Sequence, residues 1–167
     1  MKYFLIFLMF ITLSFASSNK LIIDATNFET DDLKGVTIFS GNVKLQKDKD
    51  KLNSQKLEVF MEPKAQRKTN EAIKYIATGN VDFEIHIKEK VYKGKGDKLI
   101  YIPKSQEYTI SGNGYVKELT EEKELFGNNI FINQLTGNAK VEGSEEKPVR
   151  FIINVENNKK KSENKWK

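Results

Sequence analysis

The sequence predicts an all-β protein, and three of its features carry that prediction. Apolar and polar residues alternate, most regularly where Val81, Phe83, Ile85 and Ile87 are interleaved with Asp82, Glu84, His86 and Lys88. A period of two puts the apolar set on one buried face of a strand. A Ser/Thr-Gly-Asn corner recurs at Ser40-Gly41-Asn42, Thr78-Gly79-Asn80, Ser111-Gly112-Asn113 and Thr136-Gly137-Asn138, leading to Val43, Val81, Val116 and Val141 respectively. Glycine reaches the positive φ a sharp corner needs, asparagine tolerates it, and the β-branched residue re-enters an extended strand. Helical periodicity is nearly absent. Lys64 to Lys74 offers at most one helical turn, and after Pro63 it reads as an exposed connection between strands.

In chain order, residues 1–16 read as a signal peptide. Lys2 supplies a positive start, Tyr3 to Leu13 is an almost unbroken apolar run, and Ser14-Phe15-Ala16 places small residues where a signal peptidase reads them. Cleavage is expected after Ala16. The run falls short of the about 20 residues that a membrane-spanning helix wants, so export and release are favoured over anchoring. Residues 17–155 then form one β domain, and the Asn/Lys-rich residues 156–167, which lack apolar anchors, are expected to be disordered.

Leu21 and Ile23 open the strand series, and Leu57, Val59 and Met61 continue it. Leu99 and Tyr101, Ile130 and Ile132 around Phe131, and finally Phe151, Ile153 and Val155 complete it. Less regular polar corners are expected at Lys47 to Lys51, at Lys93-Gly94-Lys95-Gly96 and at Leu125 to Asn129. Each unit is then corner, strand, polar turn, strand. The distance between successive Gly-Asn corners shrinks from 38 residues (Gly41 to Gly79) to 25 (Gly112 to Gly137). That argues against a solenoid of identical coils and for antiparallel strand pairs winding between two facing sheets, as a jelly roll or open β-sandwich.

Composition narrows the function. There are 28 Lys+Arg against 23 Asp+Glu, but Arg67 and Arg150 are the only arginines, so the basic balance reads as lysine-based solubility and not as a nucleic-acid surface. With no cysteine, stability comes from packing and ladder hydrogen bonds, and no acyl-cysteine anchor is offered. The single histidine, His86, falls on the outward phase of its strand and reads as a solvated surface residue. One histidine and no cysteine make a poor zinc or copper site. Glu118 to Glu124 lacks the alternating Asp/Asn ligands and central glycine of an EF-hand loop and reads as a solvated loop. No enzyme activity, metal or cofactor is expected. Lys90, Lys93, Lys95 and Lys98 form a lysine-dense patch. Solvation explains it first, and contact with lipid phosphates or anionic sugars is the functional reading.

The stretches Gly35 to Val43, Leu57-Glu58-Val59, Lys93-Gly94 through Leu99-Ile100-Tyr101, and Tyr108 to Asn113, with Pro148-Val149 before a final strand, occur in an order that resembles the OstA-like family of periplasmic lipopolysaccharide transport proteins, the LptA type. The likeness covers nearly all of the chain after residue 16. It implies a V-shaped jelly roll that binds lipid A acyl chains between its sheets. It also implies head-to-tail stacking, with related β jelly-roll proteins as partners, into a bridge from the inner-membrane complex to the outer-membrane translocon.

The inward, lipid-facing set expected from alternation and this resemblance is Leu21, Ile23, Ile38, Val43, Leu45, Leu57, Val59, Val81, Phe83, Ile85, Leu99, Tyr101, Ile110, Val116, Ile130 and Ile132. Leu21 to Ala25 and Pro148 to Val155 are the natural sheet edges for pairing with neighbouring copies or related domains. Proline can start a strand but not sit in a central ladder, which suits the end position of Pro148. Two other functions remain open: a membrane-anchored LptC-like component with an uncleaved N-terminal segment, and a β-scaffold that binds protein and no lipid.

Overall fold

In the computed structural model, which describes residues 20–155, ten antiparallel strands form one unclosed sheet. The signal peptide read at residues 1–16 and the polar tail read at 156–167 lie outside the described residues. The strands are β1 (Leu21–Asp24), β2 (Asn27–Asp31), β3 (Val36–Lys47), β4 (Asp50–Met61), β5 (Ala72–Ile87), β6 (Lys90–Ile102), β7 (Glu107–Glu118), β8 (Lys123–Asn133), β9 (Asn138–Glu142) and β10 (Arg150–Ile152). Their order is β1-β3-β4-β5-β6-β7-β8-β10, with β2 also paired to β3 and β9 to β8. The six long strands therefore form a meander. The alternating residues that predicted strands are the ones that build it.

The first three Gly-Asn corners lie inside strands and not between them. Gly41-Asn42 is within β3, Gly79-Asn80 within β5 and Gly112-Asn113 within β7, with φ of +83° and +48°, +81° and +48°, and +74° and +52°. At each, the strand carries one residue more than its neighbours. Thr78 to Val81 takes three steps where Lys98 to Gly96 takes two, and Ser111 to Gly114 takes three where Asn129 to Gly127 takes two. An extra residue of this kind is a β-bulge, which bends its strand and breaks the ladder locally. Ser40, Lys56, Thr78, Lys98, Ser111 and Asn129, each flanking a register shift, pair successively across the sheet. The bends thus add into one crease.

The crease divides the sheet into two layers. One has β2 and β9 at its edges, the other β1 and β10. The jelly-roll architecture agrees with the expectation, but each long strand runs through both layers instead of winding from one sheet to another. Two of the expected polar turns are also strand interior: Lys93 to Gly96 belongs to β6 and Leu125 to Asn129 to β8. The chain reverses instead at Lys88-Glu89 and at Leu119 to Glu122. Gly94 answers packing, since a Cβ there would lie 2.3 Å from Cζ of Phe83 and 2.7 Å from the Tyr115 carbonyl oxygen. A glycine inside a strand marks such a close approach.

The core lies along the crease. Leu57, Ile110, Ile130, Val43 and Val81 are the largest fully buried side chains, and all flank the bulges. Each contributes about 1.5–3 kcal/mol by leaving water. Burial then declines outward along the strands: Val81, Phe83 and Ile85 are 1%, 5% and 9% exposed, and Ile87 is only half-buried. The opposing layer follows the same trend, with Leu57 1% exposed, Val59 8% and Met61 half-buried. Two layers that touch at the crease and part toward the strand ends produce this gradient.

Candidate functional site

Where the layers part they leave an open cleft of about 990 Å³. One wall presents Leu21, Leu45, Leu52, Phe83 and Ile85, the other Leu57, Tyr75, Ala77, Leu99, Tyr101 and Tyr108. Register explains why these side chains share a space. Leu45, Leu52 and Phe83 are successive cross-strand partners, and the row runs on from Ile23 on one side to Gly94, Val116, Leu125 and Phe151 on the other. An apolar band thus crosses the β1–β10 layer from one edge to the other.

Tyr75, Tyr101 and Tyr108 form the corresponding row on the facing layer. Their rings stack, with centroids 6.1 Å apart for Tyr75 and Tyr101 and 4.3 Å for Tyr101 and Tyr108. Burial holds all three phenols above their usual ionisation range, so they stay neutral. The cleft therefore has apolar and aromatic walls. Charged residues border it, including Lys47, Asp50, Glu62, Lys68, Glu71 and Lys104.

Of the residues expected to face inward, Val43, Leu57, Val59, Val81, Phe83, Ile85, Leu99, Ile110, Val116 and Ile130 are buried in one core cluster. Ile23, Leu45, Tyr101 and Ile132 are half-buried against it, and Leu21 is exposed at the mouth. Ile38 departs from the pattern. It pairs with Glu29 and Glu58 on the opposite face, while Phe39, paired with Leu57, takes the inward place. The run Val36 to Phe39 alternates ambiguously, so before the bulge the inward phase of β3 falls on Phe39 and not on Ile38, whereas Val43 and Leu45 beyond it face inward as expected. Leu52, Tyr75 and Tyr108 line the cleft without having been singled out. Tyr75 adjoins the Lys64 to Lys74 segment expected as a connection, whose last residues Ala72 to Lys74 belong to β5, and Leu52 directly follows the Lys47 to Lys51 turn, so neither stands within a clear alternating run.

The lysine-dense patch does not border the cleft. Lys90 pairs with Glu121 at 2.6 Å, Lys93 with Glu84 at 3.1 Å, and Lys95 lies over the Tyr115 ring. His86 faces outward as expected, but half-buried between two carboxylates: Nδ1 is 3.4 Å from Asp50 and Nε2 3.5 Å from Glu84. Glu118 is only 5% exposed and accepts hydrogen bonds from the backbone amides of Thr120 and Glu121, so the start of the acidic run caps a turn and is not solvated. Among the described residues, no group of three His, Cys, Asp or Glu is placed to hold a metal ion.

Both ends of the β1–β10 layer carry exposed apolar residues. Ile22 is 51% exposed on β1, and Phe151 and Ile152 are 54% and 42% exposed on β10. These strands end the sheet order, so among the described residues their outer backbone groups have no strand partner. The band across the layer therefore reaches, at both ends, an edge that is unpaired among the described residues.

The sequence model of the family described as LptA/(LptD N-terminal domain) LPS transport protein matches residues 22–138. No curated protein matches the chain in sequence. Among solved structures, the chain is similar to LptH of Pseudomonas aeruginosa, described as the LptA-homologous periplasmic component of the lipopolysaccharide transport device. The identity is 15% and the TM-score 0.67, covering 82% of this chain and 96% of that one. At that identity the likeness bears on the fold.

Proposed function

The chain belongs to the LptA and LptD N-terminal domain family of lipopolysaccharide transport proteins, and on that premise we propose that it is a periplasmic carrier that holds the acyl chains of lipopolysaccharide in its interlayer cleft. The observation that carries the reading is the decline in burial from the crease to the open ends of the strands. It leaves apolar side chains that protein does not cover, beside a cleft at the upper end of the usual ligand-pocket range of about 300–1,000 Å³. Acyl chains in the cleft replace water against those side chains. At about 0.8 kcal/mol per buried methylene, ten methylenes supply several kcal/mol spread over many contacts, which holds a lipid without fixing it at one point.

The carrier works as one segment of a bridge between the membranes, by pairing β1 of one molecule with β10 of the next or with related domains. Pairing of this kind satisfies the unpaired edges and covers Ile22, Phe151 and Ile152. It also makes the apolar band of one molecule continuous with the next. Release of the signal peptide after Ala16 makes the carrier soluble in the periplasm.

The test joins binding to assembly. Purified protein incubated with lipopolysaccharide should retain it through size exclusion. Single cysteines replacing Ile22 and Ile152, in a chain with none of its own, should be linked into ladders by a short bismaleimide. Monomers that elute free of lipopolysaccharide would refute the carrier. Retention without ladders would confine the protein to acting alone.

A further inference from the structure

We infer that residues 62–71 form a flap that closes one side of the cleft mouth and slows escape of the bound amphiphile, and that Arg67 is the positioning residue that holds it there. The inference rests on the carrier reading above. The other connections between successive paired strands span two residues (48–49, 88–89) or four (32–35, 103–106, 119–122, 134–137), whereas this one spans ten. Hairpin loops are mostly about two to five residues, so this connection is longer than the reversal from β4 to β5 requires. Here the extra length lies against the cleft: Glu62, Lys68, Thr69, Asn70 and Glu71 all line it.

The flap is tied at its base. The Arg67 guanidinium lies 2.8 Å from Oδ1 of Asp32, in the turn between β2 and β3, and Arg67 Nε donates to the Glu62 carbonyl oxygen at 3.0 Å. Lys64 adds two contacts to the same residue: its amide donates to the Asp32 carbonyl at 3.3 Å and its Nζ is 3.5 Å from Oδ2. The amides of Gln66 and Arg67 both donate to the Pro63 carbonyl, closing the first half of the loop into a tight turn. Arg67 itself is only 19% exposed, unusually low for a loop cation, because it spans from the loop to the neighbouring turn. The second half, Lys68 to Glu71, is thereby directed along the cleft. It is entirely polar, so it meets the head of an amphiphile whose tails lie deeper among Leu45, Leu52 and Phe83.

The experiment uses the full secreted chain and fluorescently labelled lipopolysaccharide, chased with unlabelled lipopolysaccharide in a stopped-flow instrument. Arg67→Gln should speed release about tenfold, the scale of one lost positioning contact of charge-assisted type, with association changed far less. Arg67→Lys should recover part of the wild-type retention, because it restores the charge without the Nε bond. Replacement of residues 63–70 by Asn-Gly should release at least as fast as Arg67→Gln. Wild-type release rates in Arg67→Gln would overturn the inference, and so would equal slowing of association and release. Should wild type itself fail to retain the label, the carrier reading falls and takes the flap with it.

Discussion

The carboxylate arm of Asp97 lies directly over Gly112. A Cβ at Gly112 would come within 2.3 Å of Asp97 Oδ2 and 2.8 Å of its Cβ, and φ there is +74°. The crease glycines on β3 and β5 are covered in the same way, Gly41 by Thr26 and Gly79 by Gln55. Each bulge is thus closed by a side chain from the adjacent segment, which requires a bare backbone beneath it.

Gly112→Ala should therefore destabilise the fold by about 2–4 kcal/mol, combining a left-handed conformation with displacement of Asp97. Gly137 supplies the control. Its φ is +73° but nothing lies within 4 Å of the position a Cβ would take, so Gly137→Ala should cost only the conformational part, about 1–2 kcal/mol. Urea unfolding of the two variants checks the difference.

Gly94→Ala should cost about 1–3 kcal/mol through overpacking against the Phe83 ring. Adding Phe83→Leu should restore part of that loss, because the smaller side chain vacates the space. The double-mutant cycle should then show a coupling of at least about 0.5 kcal/mol. Strict additivity would mean that the Tyr115 carbonyl, 2.7 Å from the same point, is the contact that matters.

Core and cleft should separate on mutation. Ile130→Ala, at the crease and outside the cleft lining, should cost about 2–5 kcal/mol. Leu52→Ser, at a half-buried cleft position, should cost about 1 kcal/mol or less yet weaken retention of lipopolysaccharide several-fold. Thermal melts and lipid-retention assays on both variants give the two readings.

Acid should unfold the protein through its turn carboxylates. Burial pushes the Glu118 carboxyl up, but the Thr120 and Glu121 amides, with Lys90 nearby, outweigh it and hold it below the usual value of 4.5. Lys123 and Lys90 draw Glu121 down to about 2. A folded-state value below the unfolded one gives stability that is fully present above about pH 4.5 and lost as pH falls through the folded value. Tm should be nearly flat from pH 7 to 5 and should decline below 4.5. Glu118→Gln should lower Tm at pH 7 by a few degrees and make the decline between pH 4.5 and 2 shallower.

Much of this was legible in sequence because alternation reports burial directly. Val81, Phe83 and Ile85 announce both their strand and its inward face, and the Gly-Asn corners announce a chain that bends at regular intervals. What alternation does not report is whether a bend ends a strand. Gly79-Asn80 bends β5 and breaks its ladder only locally, with pairing to β4 and β6 resuming beyond it, and only the register across neighbouring strands reveals that. Glycine is ambiguous for a related reason. Gly94 looks like a turn in sequence because the ring that requires its bareness, Phe83, is on another strand. Ile38 shows the limit of phase reading: four consecutive residues, Val36 to Phe39, are all acceptable in a strand on either face, and the partners Glu29 and Glu58 settle the matter only in three dimensions. The Arg67–Asp32 pair was invisible for the same reason, since it joins two loops separated by two long strands.

The most direct test of the cleft is photocrosslinking to lipopolysaccharide from matched positions on the two faces of one layer. A photoreactive residue at Tyr101 faces the cleft, whereas one at Ile76, paired with Glu58 and Ile100, faces away from it. Lipopolysaccharide adducts at Tyr101 and none at Ile76 are predicted. Adducts at neither position, or equally at both, would contradict an acyl-binding interior.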